Sequence, residues 1–207
     1  MAASLHERCA SVPRDLSIPL LPLILLIPLC LLATGCAKGS GEGSAVGQVW
    51  APDCGLDGQP FSLNPDYFAM QPSTAVEIIS IVVQRGSELQ SYSDGLSIFI
   101  RDPQMLKETM LGTEIELGGL AAPVEMTLYL NATCPGVARI PVYYAAVSGT
   151  IRFEELYVPW LDNDTKETIA IFTNVELLDN KDPETRRAVL DGDFSFLFEV
   201  GRPLQYF

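Results

Sequence analysis

From residue 76 onward the chain alternates apolar and polar positions with a period of two, the mark of half-buried β-strands. Val76–Gln84 (VEIISIVVQ) is β-branched and apolar on both faces, as in a core strand. A polar connection from Gly86 to Gly95 follows, with Ser93-Asp94-Gly95 as a turn signal. Leu96, Ile98 and Ile100 then alternate with polar neighbours and make the partner strand. Asp102–Leu111 (DPQMLKETML) changes period. Asp102 suits an N-cap, Pro103 the first helical position, and Met105, Leu106, Met110 and Leu111 share one helical face. One short helix near 103–111 is expected, closed by Gly112, with a brief strand over Thr113–Leu117.

Strong alternation returns at Val124, Met126, Leu128 and Leu130. Asn131–Gly136 reads as a turn. Arg139–Val147 is the next strand, with Pro141 suggesting an edge. Ser148-Gly149 turns the chain into Thr150–Val158, where Glu154-Glu155 interrupts the alternation as a bulge does. Glu167–Leu178 and Ala188–Val200 complete an antiparallel meander, the last with Phe194, Phe196, Phe198 and Val200 on one side. Seven to nine short strands with turns between them predict an all-β fold, an antiparallel β-sandwich or an open barrel. Residues 50–75, rich in Pro, Asp and Gly, read as irregular chain or a short edge strand. Residues 37–47 (AKGSGEGSAVG) read as a flexible tether with a reach of roughly 15–20 Å.

The apolar run from Ile18 has a different character. IPLLPLILLIPLCLLATGC holds three prolines and ends in small residues before Cys36. Arg8 and Arg14 precede it, as in a secretory signal. This stretch resembles the lipobox signal peptide of bacterial lipoproteins, although Ala33 stands where a leucine is usual. The resemblance covers residues 1–36 only. It implies removal of residues 1–35, a diacylglyceryl group on the Cys36 sulfur and a fatty acyl chain on its new amino terminus. It places the protein in the bacterial cell envelope, anchored to the membrane through that lipid. Ala37 is not the aspartate of inner-membrane retention, which favours the outer membrane. Processing would leave a flexible tether at 36–47 and a single β-domain at 48–207. The strands SGTIRFEELY and DGDFSFLFEV are loosely similar to those of β-rich lipoprotein domains with no assigned activity.

Charge and cysteine usage narrow the function. The chain has 207 residues and a formal charge of −13, and residues 1–35 contain two acidic and two basic side chains that cancel. An acidic surface of this kind repels nucleic-acid phosphates and gives no polybasic attraction to anionic lipid. Membrane contact is therefore expected through the lipid alone, with an envelope protein as a possible further partner. Of five cysteines, Cys9 and Cys30 leave with the signal and Cys36 is the lipid site. Cys54 and Cys134 remain, an even pair on the oxidising side of the membrane, and a disulfide is expected. Closing that 80-residue loop is worth roughly 4 kcal/mol in the chain-entropy view.

His6 is the only histidine and lies in the segment to be removed. Ser-His-Asp hydrolysis, Cys-His chemistry and histidine metal centres are therefore excluded for the processed protein. No cofactor or metal is called for. Asp162-Asn163-Asp164-Thr165 and Asp179-Asn180-Lys181-Asp182 are oxygen-rich but lack a complete calcium spacing, and read as solvated turns. A carboxylate-dependent, glycosidase-like hydrolase is the alternative class, with Glu154 or Glu155 paired to Glu176 or Asp193. Tyr157 and Trp160, at a strand end, are the candidate ligand or partner patch. Asn131-Ala132-Thr133 matches a glycosylation acceptor pattern, which has little meaning for a bacterial chain.

Overall fold

A computed structural model describes residues 37–73, 75–86, 89–119, 121–134, 143–162 and 167–198. The signal segment 1–35, Cys36, the Pro141 position and Val200 lie outside them. The described strands are β1 (Ala37–Ala51), β2 (Leu56–Leu63), β3 (Tyr67–Ser73), β4 (Ile78–Gly86), β5 (Ser93–Ile100), β6 (Ile115–Glu116), β7 (Val124–Leu130), β8 (Tyr143–Glu155), β9 (Glu167–Asp179) and β10 (Arg187–Phe198). One helix, α1 (Pro103–Thr109), interrupts them, at the position its capping sequence predicts.

The fold is all-β, but one sheet closes on itself where a β-sandwich or an open barrel was expected. Each neighbour in the order β10-β9-β8-β7-β5-β4-β3-β1 is antiparallel, and β1 then pairs with β10. This makes an eight-stranded up-and-down barrel, with β2 continuing the β3 edge of β1 and the short β6 beside β8. Closure removes the open sheet edges that invite aggregation.

The closing strand is the segment expected to be a tether. β1 pairs with β10 from Gly39–Phe198 to Trp50–Arg187 without a break. Glycine stands opposite aromatic residues: Gly41 faces Phe196 and Gly43 faces Phe194. A Cβ at Gly41 would lie 2.4 Å from the Ser195 carbonyl oxygen and 2.5 Å from Phe196 Cβ. The small residues of AKGSGEGSAVG therefore admit the phenylalanines of β10. Phe194 and Phe196 are buried, and the Phe196 ring stacks on Phe68 at 5.9 Å.

Eight strands leave an interior that side chains just fill. The register stacks them in rows. Phe68, Val83, Leu96, Leu128 and Tyr144 are successive cross-strand partners, and all are buried. Met70, Ile81, Ile98 and Met126 form the next row.

Three local expectations change. Residues 50–75 form β2 and β3. Ser93-Asp94-Gly95 opens β5 in place of a turn, pairing with Gly86, Arg85 and Gln84. Ser148-Gly149 is not a turn but part of an irregular stretch within the continuous β8, where the register shifts between Ala146 and Ser148 and again between Ser148 and Thr150. Gly149 adopts φ +103 there, and a Cβ would meet the Asn174 carbonyl oxygen at 2.6 Å. The irregularity expected at Glu154-Glu155 is present.

α1 and the 156–162 segment cover one end of the barrel. Leu106, Leu156, Tyr157 and Val158 are buried there. Asp102 caps the helix by accepting from the Met105 amide at 2.9 Å. The ammonium of Lys107 joins the two pieces, donating to the Leu156 carbonyl at 2.7 Å and to Asp162 at 2.8 Å.

Candidate functional site

The other end of the barrel gathers the buried polar groups. There Cys54 and Cys134 form a disulfide with Cα atoms 5.4 Å apart. The bridge ties the turn after β1 to the turn after β7. Cys134 is buried and Cys54 half-buried, so the bond packs against the core edge.

Asp94 holds the second of these turns. Its side chain is buried, and one carboxylate oxygen accepts from the amides of Ala132 and Thr133, both at 3.0 Å. The other accepts from the Thr133 hydroxyl and pairs with Arg85 at 3.2 Å. A buried carboxylate is tolerated when its lone pairs are filled this way. Beside it, the Tyr129 hydroxyl donates to Gln84 at 2.6 Å. Burial foremost, then the neighbouring Tyr143, Tyr67 and Asp94, push that phenol well above its ordinary range. Gly95 makes the contact possible, since a Cβ there would lie 2.5 Å from the Tyr129 hydroxyl. The amide of Asn131 donates to the Gln90 carbonyl at 2.9 Å, so the acceptor-pattern asparagine is buried and engaged.

A second polar group surrounds the other turn. Arg186 pairs with Asp53, and with Asp179 at 3.3 Å. Asp179 also accepts from the Lys181 amide at 2.8 Å, and Asp182 from the Thr185 hydroxyl. The carboxylates of this acidic loop thus serve its own turn. Tyr144 lies beneath, with its hydroxyl buried and unpartnered. Burial pushes that phenol up to about 12, against the lowering influence of Arg186. Asp53 lies near both sulfurs, but these are bonded to each other and offer no thiolate pair to a metal.

The expected aromatic patch does not form. Tyr157 is 4% exposed and belongs to the core, and its backbone amide donates to the Thr168 hydroxyl at 3.1 Å. Trp160 is half-buried against the core, with its indole N–H buried and unpartnered. The Tyr157–Trp160 segment turns inward because it covers the barrel end.

The acidic residues considered for hydrolysis are not gathered either. Glu154 and Glu155 are exposed at the end of β8, and Glu154 pairs with Arg152 at 2.7 Å. Glu176 is opposite Ser148, six positions from Glu154 along β8, roughly 20 Å at the rise of a strand and beyond the spacing of a glycosidase pair. Asp193 is level with Arg152 but two strands away from β8, across Ile171 of β9. In the other oxygen-rich loop Asp162 is engaged by Lys107 and the Val158 amide, and Asn163, Asp164 and Thr165 lie outside the described residues. Asp94, Gln84, Tyr129 and Arg186 carry the polar end of the barrel; the sequence reading gives Asp94 only a turn and assigns the other three no site role.

Comparison with known proteins finds no matching family, no similar curated protein and no similar solved structure.

Proposed function

We propose that the protein is a bacterial envelope lipoprotein, acylated on Cys36, whose barrel is a non-catalytic binding or structural module. One observation carries the reading: the apolar run from Ile18 ends in Ala33-Thr34-Gly35 immediately before Cys36, as in a lipobox. Cleavage before Cys36 would leave the whole of β1 in place and would set the acyl chains beside its first residue, Ala37. The non-catalytic part is supported by the buried carboxylates and the part-buried Arg186. Asp94, Asp179 and Arg186 are each held by protein partners in the service of turns, an arrangement suited to stability.

A second reading, a subunit of an envelope assembly, is favoured by the charge pattern of the outer surface. The outward positions of β4, β5 and β7 are nearly all neutral, among them Ser80, Val82, Ser97, Phe99 and Thr127, with Glu125 as the exception. The opposite side carries Glu42, Glu167, Glu176, Asp191 and Asp193. Depletion of charge is the compositional mark of an interface core.

Intact mass of the membrane-fraction protein tests the proposal. A mass of residues 36–207 plus acyl groups is expected, rising by about two protons' mass on reduction. A mass that retains residues 1–35, or lacks lipid, overturns it.

A further inference from the structure

We propose that the barrel meets the bilayer flush, with its α1-covered end, through the turn between β3 and β4; this rests on acylation of Cys36. An eleven-residue coil after Cys36 would let the domain float roughly 15–20 Å from its anchor. Ala37 instead belongs to β1, where it pairs with Met70 of β3. The Cα of Cys36 is one peptide step, about 3.8 Å, from that position.

β3 continues past Met70 to Ser73, which pairs with Ile78 at the start of β4. Three residues are roughly 10 Å along a strand, or about 7–8 Å along the axis of a barrel with ordinary strand tilt. The turn at 75–77 therefore lies beyond the level of Ala37 at this end of the barrel. At its tip Val76 is 62% exposed, the most exposed of the large apolar side chains described. An acyl chain that enters the bilayer at Cys36 draws this turn to headgroup depth.

The charges choose the lipid. Among the described residues the cations Arg101, Lys107 and Arg152 of this end are paired with Glu125, Asp162 and Glu154, whereas Glu77, Asp102, Glu108, Glu154 and Glu155 are exposed. They disfavour an anionic surface, so the matching partner is a zwitterionic headgroup layer. The disulfide end, with exposed Leu89 and Tyr92, then points away from the membrane.

The test uses the acylated protein in phosphatidylcholine vesicles that contain a headgroup-labelled quenching lipid. With Cys36 acylated and Cys54 and Cys134 bridged, Val76→Cys and Leu89→Cys each supply one thiol for a fluorophore. Quenching at 76 is expected to exceed quenching at 89 several-fold. Adding phosphatidylglycerol is expected to weaken it. Eleven Gly/Ser residues inserted between Cys36 and Ala37 are expected to bring it down to the level at 89. Equal quenching at both sites, stronger quenching at 89, or no response to the spacer overturns the flush orientation. The last outcome would mean that the turn reaches the headgroups independently of how closely β1 follows the anchor. Protein that carries no acyl chains overturns the lipoprotein reading itself, so the two failures are distinguishable.

Discussion

Replacing Gly41 by alanine separates a strand from a tether with a single methyl group. In the barrel the new Cβ would lie 2.4 Å from the Ser195 carbonyl oxygen, where ordinary contact begins at 3.4 Å. β1 and β10 must therefore part by about 1 Å, or the chain must twist locally. Overpacking of this kind costs about 1–3 kcal/mol. The alanine also narrows the unfolded ensemble, which returns about 0.4–1 kcal/mol. The net loss is on the order of 1–2 kcal/mol, or a fall in Tm of about 2–8 °C for a domain of this size. Gly119→Ala is the control. Its Cβ meets only the Ala122 amide nitrogen, at 3.9 Å, and the same substitution there is expected to leave Tm unchanged or raise it slightly. Thermal unfolding followed by far-ultraviolet circular dichroism, with the protein in detergent, reads both. If Gly41→Ala melts with the parent or above it, as Gly119→Ala should, the closing-strand argument is refuted.

Other expectations follow from the same geometry. Replacing Cys54 and Cys134 together by alanine frees an 80-residue loop; a loss of about 2–4 kcal/mol is expected in denaturant titration. Asp94→Asn leaves the two amides and Arg85 short of a full carboxylate, and should cost about 2–3 kcal/mol by the same measurement. Trp160→Phe removes a buried, unpartnered N–H, so stability should hold within about 1 kcal/mol; a large loss would show that this donor has a partner. Both buried phenols bear on alkaline stability. In the unfolded chain they ionise near pH 10, whereas in the fold Tyr144 keeps its proton to about 12 and Tyr129 is raised as well. The unfolded state then binds fewer protons above pH 10, so stability is flat below that pH for these groups and falls as pH rises toward 12. Melting scans from pH 9 to 12 with tyrosinate absorbance check this, and a flat Tm across the window would contradict it.

The sequence announced the strands more clearly than their closure. Period-two alternation places β4, β5, β7, β9 and β10, and Asp102-Pro103 places α1, because each signal is local. Closure depends on what stands opposite. Gly39-x-Gly41-x-Gly43 reads as linker until it is set against Phe194-x-Phe196-x-Phe198, when the matching period of two becomes a strand pair. Asp94 was read as a turn residue because Ser93-Asp94-Gly95 has turn chemistry; its role depends on a turn almost forty residues away, at Ala132 and Thr133. At a strand end Tyr157 and Trp160 could be core or surface on pattern alone, with core packing favoured, and the inward course of the segment depends on Lys107 from a distant helix. The pair Cys54 and Cys134 was legible by elimination, once the other cysteines were assigned to the signal.

Hydrogen exchange over residues 37–51 tests the central claim most directly. If this segment closes the barrel, amides paired with β10 between Gly39 and Trp50 exchange as slowly as those of β9, over hours. Complete exchange within seconds, with β9 still protected, would restore the tether and contradict both the closed barrel and the flush anchor.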